Sequence, residues 1–526
     1  MTLHPGDESV TTALGAVIAM GAPLLALTLA GHPRDAVFAA FGSFTGLYGA
    51  DLPCRPRATR LATVGAALLT AVMLGASVGA LARTWLWVVA IALVAAVAKY
   101  LCDAARMGAP GAWMFVFTFA ASVPAAGAAG DLPRHALLAA GGAAVAWCVA
   151  MLPVLRDPLG PGRRATAAAL ERTAEILTAG DAAAPRQWHL THRALHRAGS
   201  SLRQAPQPGR TPLERALEHA EDLFAQAVLF PGEGVHPAET LDLRRSATQL
   251  RRSRGRPSWR SPRVSPGATG SDATPVVRPP LPRAGRSSGE GTATRLLTTA
   301  RVFIAAGTAA AFAVALGMGH PYWAPVSATA VLQSSHARMA WQRGLQRGTG
   351  TAVGLLVAAL VLQFHPRPIV GAVLVVVLQL AAQLFTSRNY ALGVVFITPL
   401  TMLLSELLQR SPARALVWDR VGGVALGILI ALTSALLVPH AATTRPLRRA
   451  IEKCDAALTA ALAEDADVRT TTHELRDALV GLRAAEDVAR GEAWPTRVPR
   501  SQVAELELRA YQALAQGRNL PREGPP

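Results

Sequence analysis

The sequence is poor in cysteine and almost free of lysine. Its 526 residues hold four cysteines. Their spacing fits neither a zinc site nor a disulfide framework. We therefore expect no metal. The lysines are Lys99 and Lys453, so arginine and histidine carry nearly all of the basic charge.

Charged residues are also scarce, and motifs for catalysis are missing. The charged fraction is 16%, whereas soluble domains have about 25%. The sequence holds no P-loop, no GxSxG, no HExxH, and no GxGxxG in a strand–helix context. These absences argue against an enzyme, against a bound cofactor, and against transport driven by ATP hydrolysis in this chain.

The net charge of +18 comes without a nucleic-acid-binding module. The arginines cluster between apolar segments and in two polar stretches, without interleaved aromatic residues. Basic loops beside apolar spans are what the positive-inside rule produces. We therefore expect a lipid bilayer, and no nucleic acid, as the partner.

What the sequence does have is long apolar segments. A helix needs about 20 mostly apolar residues to cross a bilayer. The predicted spans are 10–30, 36–50, 60–82, 85–101, 111–128, 135–155, 298–318, 323–335, 348–364, 368–385, 390–408 and 419–438. The second and fifth are short or interrupted by Gly and Pro. The acidic N-terminus lacks the basic region of a cleaved signal peptide, so the first span is expected to be retained.

Polar stretches between the spans mark the boundaries of the predicted domains. The predicted domains are an N-terminal transmembrane repeat (1–155), a cytosolic helical domain (156–252), a disordered basic linker rich in Pro, Ser and Gly (253–294), a C-terminal transmembrane repeat (295–440), and a cytosolic C-terminal helical region (441–526). The predicted fold class is all-α: a polytopic membrane protein with two parallel repeats of about six transmembrane helices.

The placement of arginine predicts the orientation. Loops at one end of the spans carry clusters such as Arg55, Arg57 and Arg60, whereas loops at the other end mostly carry single residues such as Arg83. The positive-inside rule then places both termini and the central domain in the cytosol. Together with the Arg- and Ala-rich composition, this predicts a multi-pass protein of a bacterial cell membrane.

The two halves resemble each other. Gly31-His32-Pro33 follows the first span and Gly319-His320-Pro321 follows the seventh, 288 residues later. An arginine-containing loop and a span of small residues come next in both halves. With six spans each, the repeats would have the same orientation, related by an axis along the membrane normal. That arrangement predicts a cavity between the halves.

Polar residues inside the spans are the candidate functional groups, because charges in hydrocarbon are costly and usually face a cavity or a partner. Each also has a structural interpretation: snorkelling ion pairs for Asp103 with Lys99, interfacial anchoring for Asp419, a turn for His320, and hydrogen bonds between helices for the uncharged groups. The candidates for proton coupling are Asp103, Asp419 and His320. The candidates for the substrate pathway are Tyr322, Trp323, Ser327, Gln333, Arg343, Arg347, Gln379, Gln383, Thr398, Asp419 and Arg420. No residue is a candidate for catalysis.

Several segments resemble a known family. They are RVFIAAGTAAAFAVALGMGHPYWAPVSATAVLQ, RGLQRGTGTAVG, NYALGVVFITPL and WDRVGGVALG, within about 295–440. They look like the fusaric acid resistance protein family, also called the aromatic acid exporter or integral membrane-bound transporter family. The N-terminal half is a weaker match, with Arg34-Asp35 where the second half has Tyr322-Trp323. The resemblance implies paired six-helix units, a cytosolic domain, and export of aromatic or other weak organic acids driven by the proton motive force.

Three functions remain open at this stage. The first is a secondary exporter of small organic anions, with arginines at the cytosolic mouth. The second is a passive anion channel, because the family is similar to the plant aluminium-activated malate transporters. The third is a membrane scaffold whose cytosolic helices bind a partner. A homo-oligomer is possible in each case.

Overall fold

The computed structural model of the protein describes residues 10–108, 110–124, 129–179, 185–206, 210–229, 237–252, 290–333, 337–386, 388–409, 412–436, 441–463, 468–491 and 500–519. Within these ranges the regular elements are helices. They are α1 Val10–Leu29, α2 Pro33–Ser43, α3 Cys54–Ala80, α4 Thr84–Ala104, α5 Trp113–Ser122, α6 Leu132–Arg156, α7 Gly160–Ala179, α8 Pro185–Arg203, α9 Thr211–Leu229, α10 Pro237–Arg252, α11 Glu290–Ala315, α12 Trp323–Val331, α13 Ala337–Gln363, α14 Pro368–Thr386, α15 Tyr390–Leu408, α16 Ala413–Leu436, α17 Ala441–Ala461, α18 Val468–Gly491 and α19 Arg500–Asn519.

Eight of the described helices are long and apolar enough to cross a membrane: α3, α4, α6, α11, α13, α14, α15 and α16. Large apolar side chains point outward from them, among them Val97, Leu356 and Leu429, each at least half exposed. Such contiguous apolar surface requires lipid around it. The prediction of an all-α, multi-pass membrane protein is therefore confirmed.

The repeat is visible in which helices pack together. In the first half, α2 packs on α6, α3 packs on α5 and α6, and α1 packs on α2 and α6. The second half repeats this pattern. There, α12 packs on α16, α13 packs on α15 and α16, and α11 packs on α12 and α16. The contacts between halves repeat as well: α4 pairs with α11 as α14 pairs with α1, and α5 meets α12 as α15 meets α2. The two six-helix units therefore form one pseudo-symmetric membrane part.

The second helix of each half is short. We predicted spans at 36–50 and 323–335, but α2 has 11 residues and α12 has nine, too few to cross a bilayer. A glycine with positive φ, Gly31 in one half and Gly317 in the other, ends the preceding helix and turns the chain back into the protein. Nearly every residue of α2 and all of α12 are buried. Both therefore lie inside the protein, away from lipid.

Glycines let the neighbouring helices approach these short ones. A Cβ on Gly142 of α6 would overlap the backbone of α2 at Ala39, and a Cβ on Gly427 of α16 would overlap the backbone of α12 at Ala324. Close backbone approach through small residues is the usual way that membrane helices pack. In both halves, the short helix is therefore packed against its neighbour through a glycine.

The polar segments form a single bundle. Helices α7–α10 and α17–α19 contribute to one core, with Leu170, Leu213 and Leu243 from the first segment beside Leu479 and Leu506 from the second. The linker predicted at 253–294 falls on residues 253–289, which lie outside the described part, and on residues 290–294, which belong to α11. Contacts of α17 with α11 and of α18 with α13 place the bundle at one end of the membrane part, here called the bundle side; the opposite end is the far side.

Two buried features fix the bundle. Arg483 bonds to both Glu486 and Glu507, and Arg490 pairs with Glu486, so two arginines compensate the two buried carboxylates. Next to them, the rings of Trp188, His192 and Phe224 pack edge-on against Tyr511. Burial, together with the charge of Arg476, lowers the pKa of His192 to about 3. His192 is thus neutral at physiological pH.

Candidate functional site

A buried arginine lies on a tryptophan ring where α16 crosses α12. The guanidinium carbon of Arg420 is 3.6 Å from the centre of the Trp323 ring. Arg420 is 1% exposed and Trp323 is fully buried. The Nε and Nη1 groups of Arg420 have no hydrogen-bond partner in the described part of the chain. A buried cation stacked on an aromatic face is favourable, but its unpaired N–H groups leave it in need of an acceptor.

A second buried arginine approaches from α13. Arg347 is 3% exposed and donates long hydrogen bonds to Ser327 Oγ at 3.3 Å and Tyr390 OH at 3.4 Å. Its Nε has no partner. Arg347 and Arg420 lie close enough to repel each other. No acidic side chain of the described residues pairs with either guanidinium, so the site holds two positive charges.

Aromatic rings from both halves meet beside these arginines. Trp113 stacks on Phe117 with centroids 5.6 Å apart, and Phe117 stacks on Trp323 at 6.0 Å. The guanidinium carbon of Arg347 is 5.8 Å from the Trp113 ring centre. Trp113 and Phe117 are on α5 of the first half, whereas Trp323 is on α12 of the second. The site therefore lies at the interface of the two repeats.

Both arginines lie well inside the membrane part. Arg347 is ten residues after the start of α13 and Arg420 is seven after the start of α16. At 1.5 Å per residue these positions are about 15 Å and about 10 Å along their helices. Consecutive helices alternate in direction, so the two arginines enter from opposite ends and meet near mid-depth.

Toward the far side, an ionisable pair adjoins Arg420. His320 Nδ1 is 2.7 Å from Asp419 Oδ2, and the backbone N–H of Gly319 donates to Asp419 Oδ1 at 3.3 Å. Tyr322 OH is 3.3 Å from Ser405 Oγ. The Gly-His-Pro motif of the second half is therefore joined to α16 by its histidine. The structure brings two of the proton-coupling candidates, His320 and Asp419, together.

The other predicted residues are dispersed. Gln333 lies against Gly111 at the start of α5, near the site. Thr398 packs on Gly354 where α15 crosses α13, and its hydroxyl bonds to its own helix. Arg343, half-buried, is one turn before Arg347. Asp103 pairs with buried Lys99 at 2.7 Å.

Helix α14 carries Gln379 and Gln383. It packs against α1 and α15, whereas the helices that carry Trp323 and Arg420 are α12 and α16. Within the described part of the chain, α14 therefore packs apart from the arginine site, and the structure does not bring these glutamines to it.

The first half has a counterpart of this site with different chemistry. Asp35 precedes Trp323 by 288 residues, the offset of the two Gly-His-Pro motifs, and Arg134 precedes Arg420 by 286. Arg134 and Asp35 form an ion pair, and Arg134 is 55% exposed. The ring of the next residue, His135, stacks on Phe38 at 3.9 Å. In the first half an acid thus compensates the arginine, while in the second half an indole ring takes its place.

Sequence reasoning did not single out Trp113, Phe117 or Tyr390. Trp113 and Phe117 are four residues apart, so they share one face of a helix. That spacing, in an unusually aromatic segment, was the available signal. Within the described residues there is no group of three or more His, Cys, Asp or Glu side chains able to hold a metal ion.

Comparisons with known proteins agree with this picture of the second half. The family model described as fusaric acid resistance protein-like matches residues 308–434, which run from α11 to α16. An uncharacterized membrane protein of Bacillus subtilis (strain 168), YvaC, is 26% identical over 539 residues, which cover 93% of this chain and 82% of YvaC. No solved structure matches the chain. The family resemblance noted from the sequence is confirmed for the C-terminal region.

Proposed function

We propose, on the premise that residues 308–434 match the fusaric acid resistance protein-like family, that this transporter-type membrane protein is a secondary exporter of aromatic or other weak organic acids. The observation that carries the proposal is the pair of buried guanidiniums, Arg347 and Arg420, which have unpaired N–H groups and no carboxylate of the described residues bonded to them. An organic anion supplies the missing acceptor.

The surroundings favour an aromatic acid. Guanidiniums form strong, charge-assisted hydrogen bonds with carboxylates, and the Nε and Nη1 groups of Arg420 each lack an acceptor among the described residues. The stacked rings of Trp113, Phe117 and Trp323 offer apolar faces to the body of the ligand. A carboxylate on the arginine with its ring among these side chains satisfies both requirements.

Because Arg347, Arg420 and Trp323 are buried, an anion reaches them only when helices separate. The site lies where α5 meets α12, and relative movement of the two repeats opens it in turn to each side. Alternating access by movement of one repeat against another is common in secondary transporters.

Asp419 and His320 provide a way to couple transport to protons. They bond to each other one residue away from Arg420. Protonation of this pair changes the charge beside the anion site, so the state of the pair and the occupancy of the site depend on each other. Asp103, tied to Lys99 in an ion pair, is the weaker candidate for this role.

We further propose that the bundle and both termini face the cytosol of a bacterial cell. The positive-inside rule supports this orientation, because the arginine cluster that holds Arg55 and Arg57 lies at the start of α3, where Arg57 is close to Arg164 of the bundle helix α7. Labelling of single cysteines, with Cys148 and the other native cysteines replaced, tests it. Reagent access to the bundle only after cell lysis is the expected result.

The decisive experiment is transport in proteoliposomes. Labelled aromatic acids, benzoate first, are loaded with the purified protein under an imposed pH gradient. We expect flux that depends on the gradient and is lost in Arg420→Gln, while Arg134→Gln, its counterpart in the first half, retains flux. Absence of gradient-dependent flux for every acid tested, with folded protein, would overturn the proposal.

A passive anion channel is the second candidate, and the uncompensated positive charge of Arg347 and Arg420 favours it. Planar-bilayer recording separates the two. Unitary anion currents, far above the rate of an alternating-access cycle, would replace the exporter by the channel. The scaffold hypothesis for the bundle remains a prediction.

A further inference from the structure

The glycine contacts of the two short helices show which residues of the halves are equivalent in space. Gly142 of α6 meets the backbone of α2 at Ala39, and Gly427 of α16 meets the backbone of α12 at Ala324. Both residues of the second contact come 285 positions after those of the first. This offset aligns the packed helices themselves, whereas the Gly-His-Pro motifs align the turns that precede them.

The offset of 285 matches Trp323 to Phe38 and Arg420 to His135. The structure shows the same contact at both places. The guanidinium carbon of Arg420 lies 3.6 Å from the centre of the Trp323 ring, and the ring centres of His135 and Phe38 are 3.9 Å apart in a stacked arrangement. Arginine keeps its proton in proteins, but an imidazole gains and loses one near neutral pH. The first half thus places a titratable group where the second half has a permanent cation.

His135 is buried at the far-side end of α6. Its side chain is 8% exposed, and its Nδ1 has no hydrogen-bond partner in the described part of the chain. Asp35 of α2, together with Asp131 and Arg134 at the start of α6, is close enough to interact with its charge. The far-side halves of α1 and α3 and the turn at 44–47, which also pack on α6, carry no ionisable side chain.

These surroundings suit both protonation states of His135. A protonated imidazole on the face of Phe38 is a cation on an aromatic ring, which is favourable, whereas burial favours the neutral form. The proton has a short path to water, because His135 is the fourth residue of α6 and the preceding Arg134 is 55% exposed. His135 can therefore exchange a proton with the far-side solution.

A continuous series of rings joins His135 to the anion site. From Phe38, on which His135 stacks, the ring centres are 6.2 Å apart to Phe41, 5.9 Å from there to Phe117, and 6.0 Å from Phe117 to Trp323. Aromatic rings at these separations are in contact. The series crosses from the first half to the second where α5 meets α12. A shift of the Phe38 ring therefore changes the packing of the ring on which Arg420 lies.

We propose that His135 is a proton-binding residue of the transport cycle, placed in the first half where the second half has its anion-binding arginine. This inference rests on the proposed function and adds a proton site separate from Asp419 and His320. A proton from the far-side solution binds the imidazole, the charged ring changes its contact with Phe38, and the series of rings carries the change to Trp323. One half then binds the proton and the other binds the anion.

Transport by the full-length protein in proteoliposomes tests the inference. Labelled benzoate is followed together with a pH-sensitive dye inside the vesicles, and protein-free liposomes give the background from benzoic acid that crosses the bilayer unaided. His135→Phe keeps a ring on Phe38 but removes the proton. We expect flux driven by a pH gradient, and proton movement with it, to fall about 10-fold or more, whereas exchange of labelled for unlabelled benzoate at equal pH stays within about 2-fold.

Two further variants complete the test. His135→Gln also removes the proton and should show the same split between driven flux and exchange, which keeps the inference testable if the phenylalanine protein does not fold. His365→Gln, an exposed histidine after the far-side end of α13, is the matched control. It should retain both driven flux and exchange.

The outcomes separate the inference from the function on which it rests. Unchanged driven flux in folded His135→Phe and His135→Gln overturns the inference and leaves the exporter. A parallel loss of driven flux and exchange also overturns it, because that result marks a structural role. Absence of both activities from the folded wild-type protein contradicts the inference and the proposed function together.

Discussion

The two membrane halves share one helix arrangement but differ in the environment of their arginines. Each half holds a short buried helix against a longer one through glycine contacts, Gly142 in the first half and Gly427 in the second. In the first half Arg134 is exposed and paired with Asp35. In the second half Arg420 is buried on Trp323 and has unpaired N–H groups. The two halves therefore share their packing but differ in their chemistry, and we propose that the half with the unpaired arginine binds the ligand.

The largest effect should come from removing the buried arginine of the second half. Arg420→Gln deletes the charge that binds the anion, and loss of a buried charged partner costs about 2–5 kcal/mol. We expect a fall in transport of roughly 100-fold or more. Arg134→Gln should stay near wild type, because that arginine is exposed. Flux in proteoliposomes measures transport by both variants. Equal losses in Arg420→Gln and Arg134→Gln would show that the arginines of the two halves do not differ in function.

The next largest effect should come from placing an acidic residue beside Arg347 in the second half. In Ser327→Asp a carboxylate replaces the hydroxyl that accepts from Arg347, which recreates the kind of pairing found between Arg134 and Asp35. The new acid competes with the ligand for Arg347. We expect affinity for an aromatic acid to fall about 10-fold or more. Ser327→Ala controls for loss of the hydroxyl, and unchanged affinity in the aspartate variant would argue against Arg347 as an anion ligand.

Substitutions that disturb helix packing should destabilise both halves to a similar extent. Gly142→Ala and Gly427→Ala each place a Cβ on the backbone of the short helix. Overpacking of this kind costs about 1–3 kcal/mol. We expect both variants to lower the thermal midpoint in detergent by similar amounts. A large loss in only one of them would mean that the halves differ in packing as well.

The smallest effect is expected in the bundle, whose stability depends on pH. That dependence limits the pH range in which variants of the two membrane halves can be compared. The pKa of His192 is lowered to about 3 by burial, against about 6.5 in an unfolded chain. Between these values the unfolded state binds the extra proton, so stability is full above about pH 6.5 and falls as the pH drops.

Thermal melting of the bundle helices at pH 7.5 and pH 5 measures this dependence. His192→Phe should melt with a weaker pH dependence, because the ring packs on Tyr511 without a titrating group. His219→Phe, a histidine on a different helix, α9, serves as the control. The same pH dependence in wild type and His192→Phe would remove His192 as its source.

Much of this architecture is predictable from sequence because lipid imposes simple rules. Apolar length located the spans, and the recurrence of Gly-His-Pro located the repeat. The span predicted at 323–335 was too long, since hydropathy does not distinguish burial in protein from burial in lipid. That limit is physical: α12 is apolar because it lies inside the membrane part, and its nine residues cannot cross it.

The site could be predicted only in part. Trp323 and Arg420 were named from positions within predicted spans, and Arg347 from the arginine-rich mouth beside one. The three do come together, with Arg347 buried inside the membrane part and not at its mouth. Trp113 and Phe117 were missed because they come from the other half, and pairing across more than 200 residues depends on tertiary packing. Gln379 and Gln383 have the right spacing on one helix face, yet α14 packs on α1 and α15. Polarity in a span does not reveal which neighbour it meets.

The shared core of the bundle has a consequence for synthesis of the chain. Leu170 and Leu213 are made early, whereas the residues that cover them, such as Leu479 and Leu506, emerge only after the whole second membrane half. During that interval the apolar faces of α7 and α9 lack part of their covering. A chain that stops after α16 keeps those faces uncovered, so an incomplete molecule is exposed to proteases.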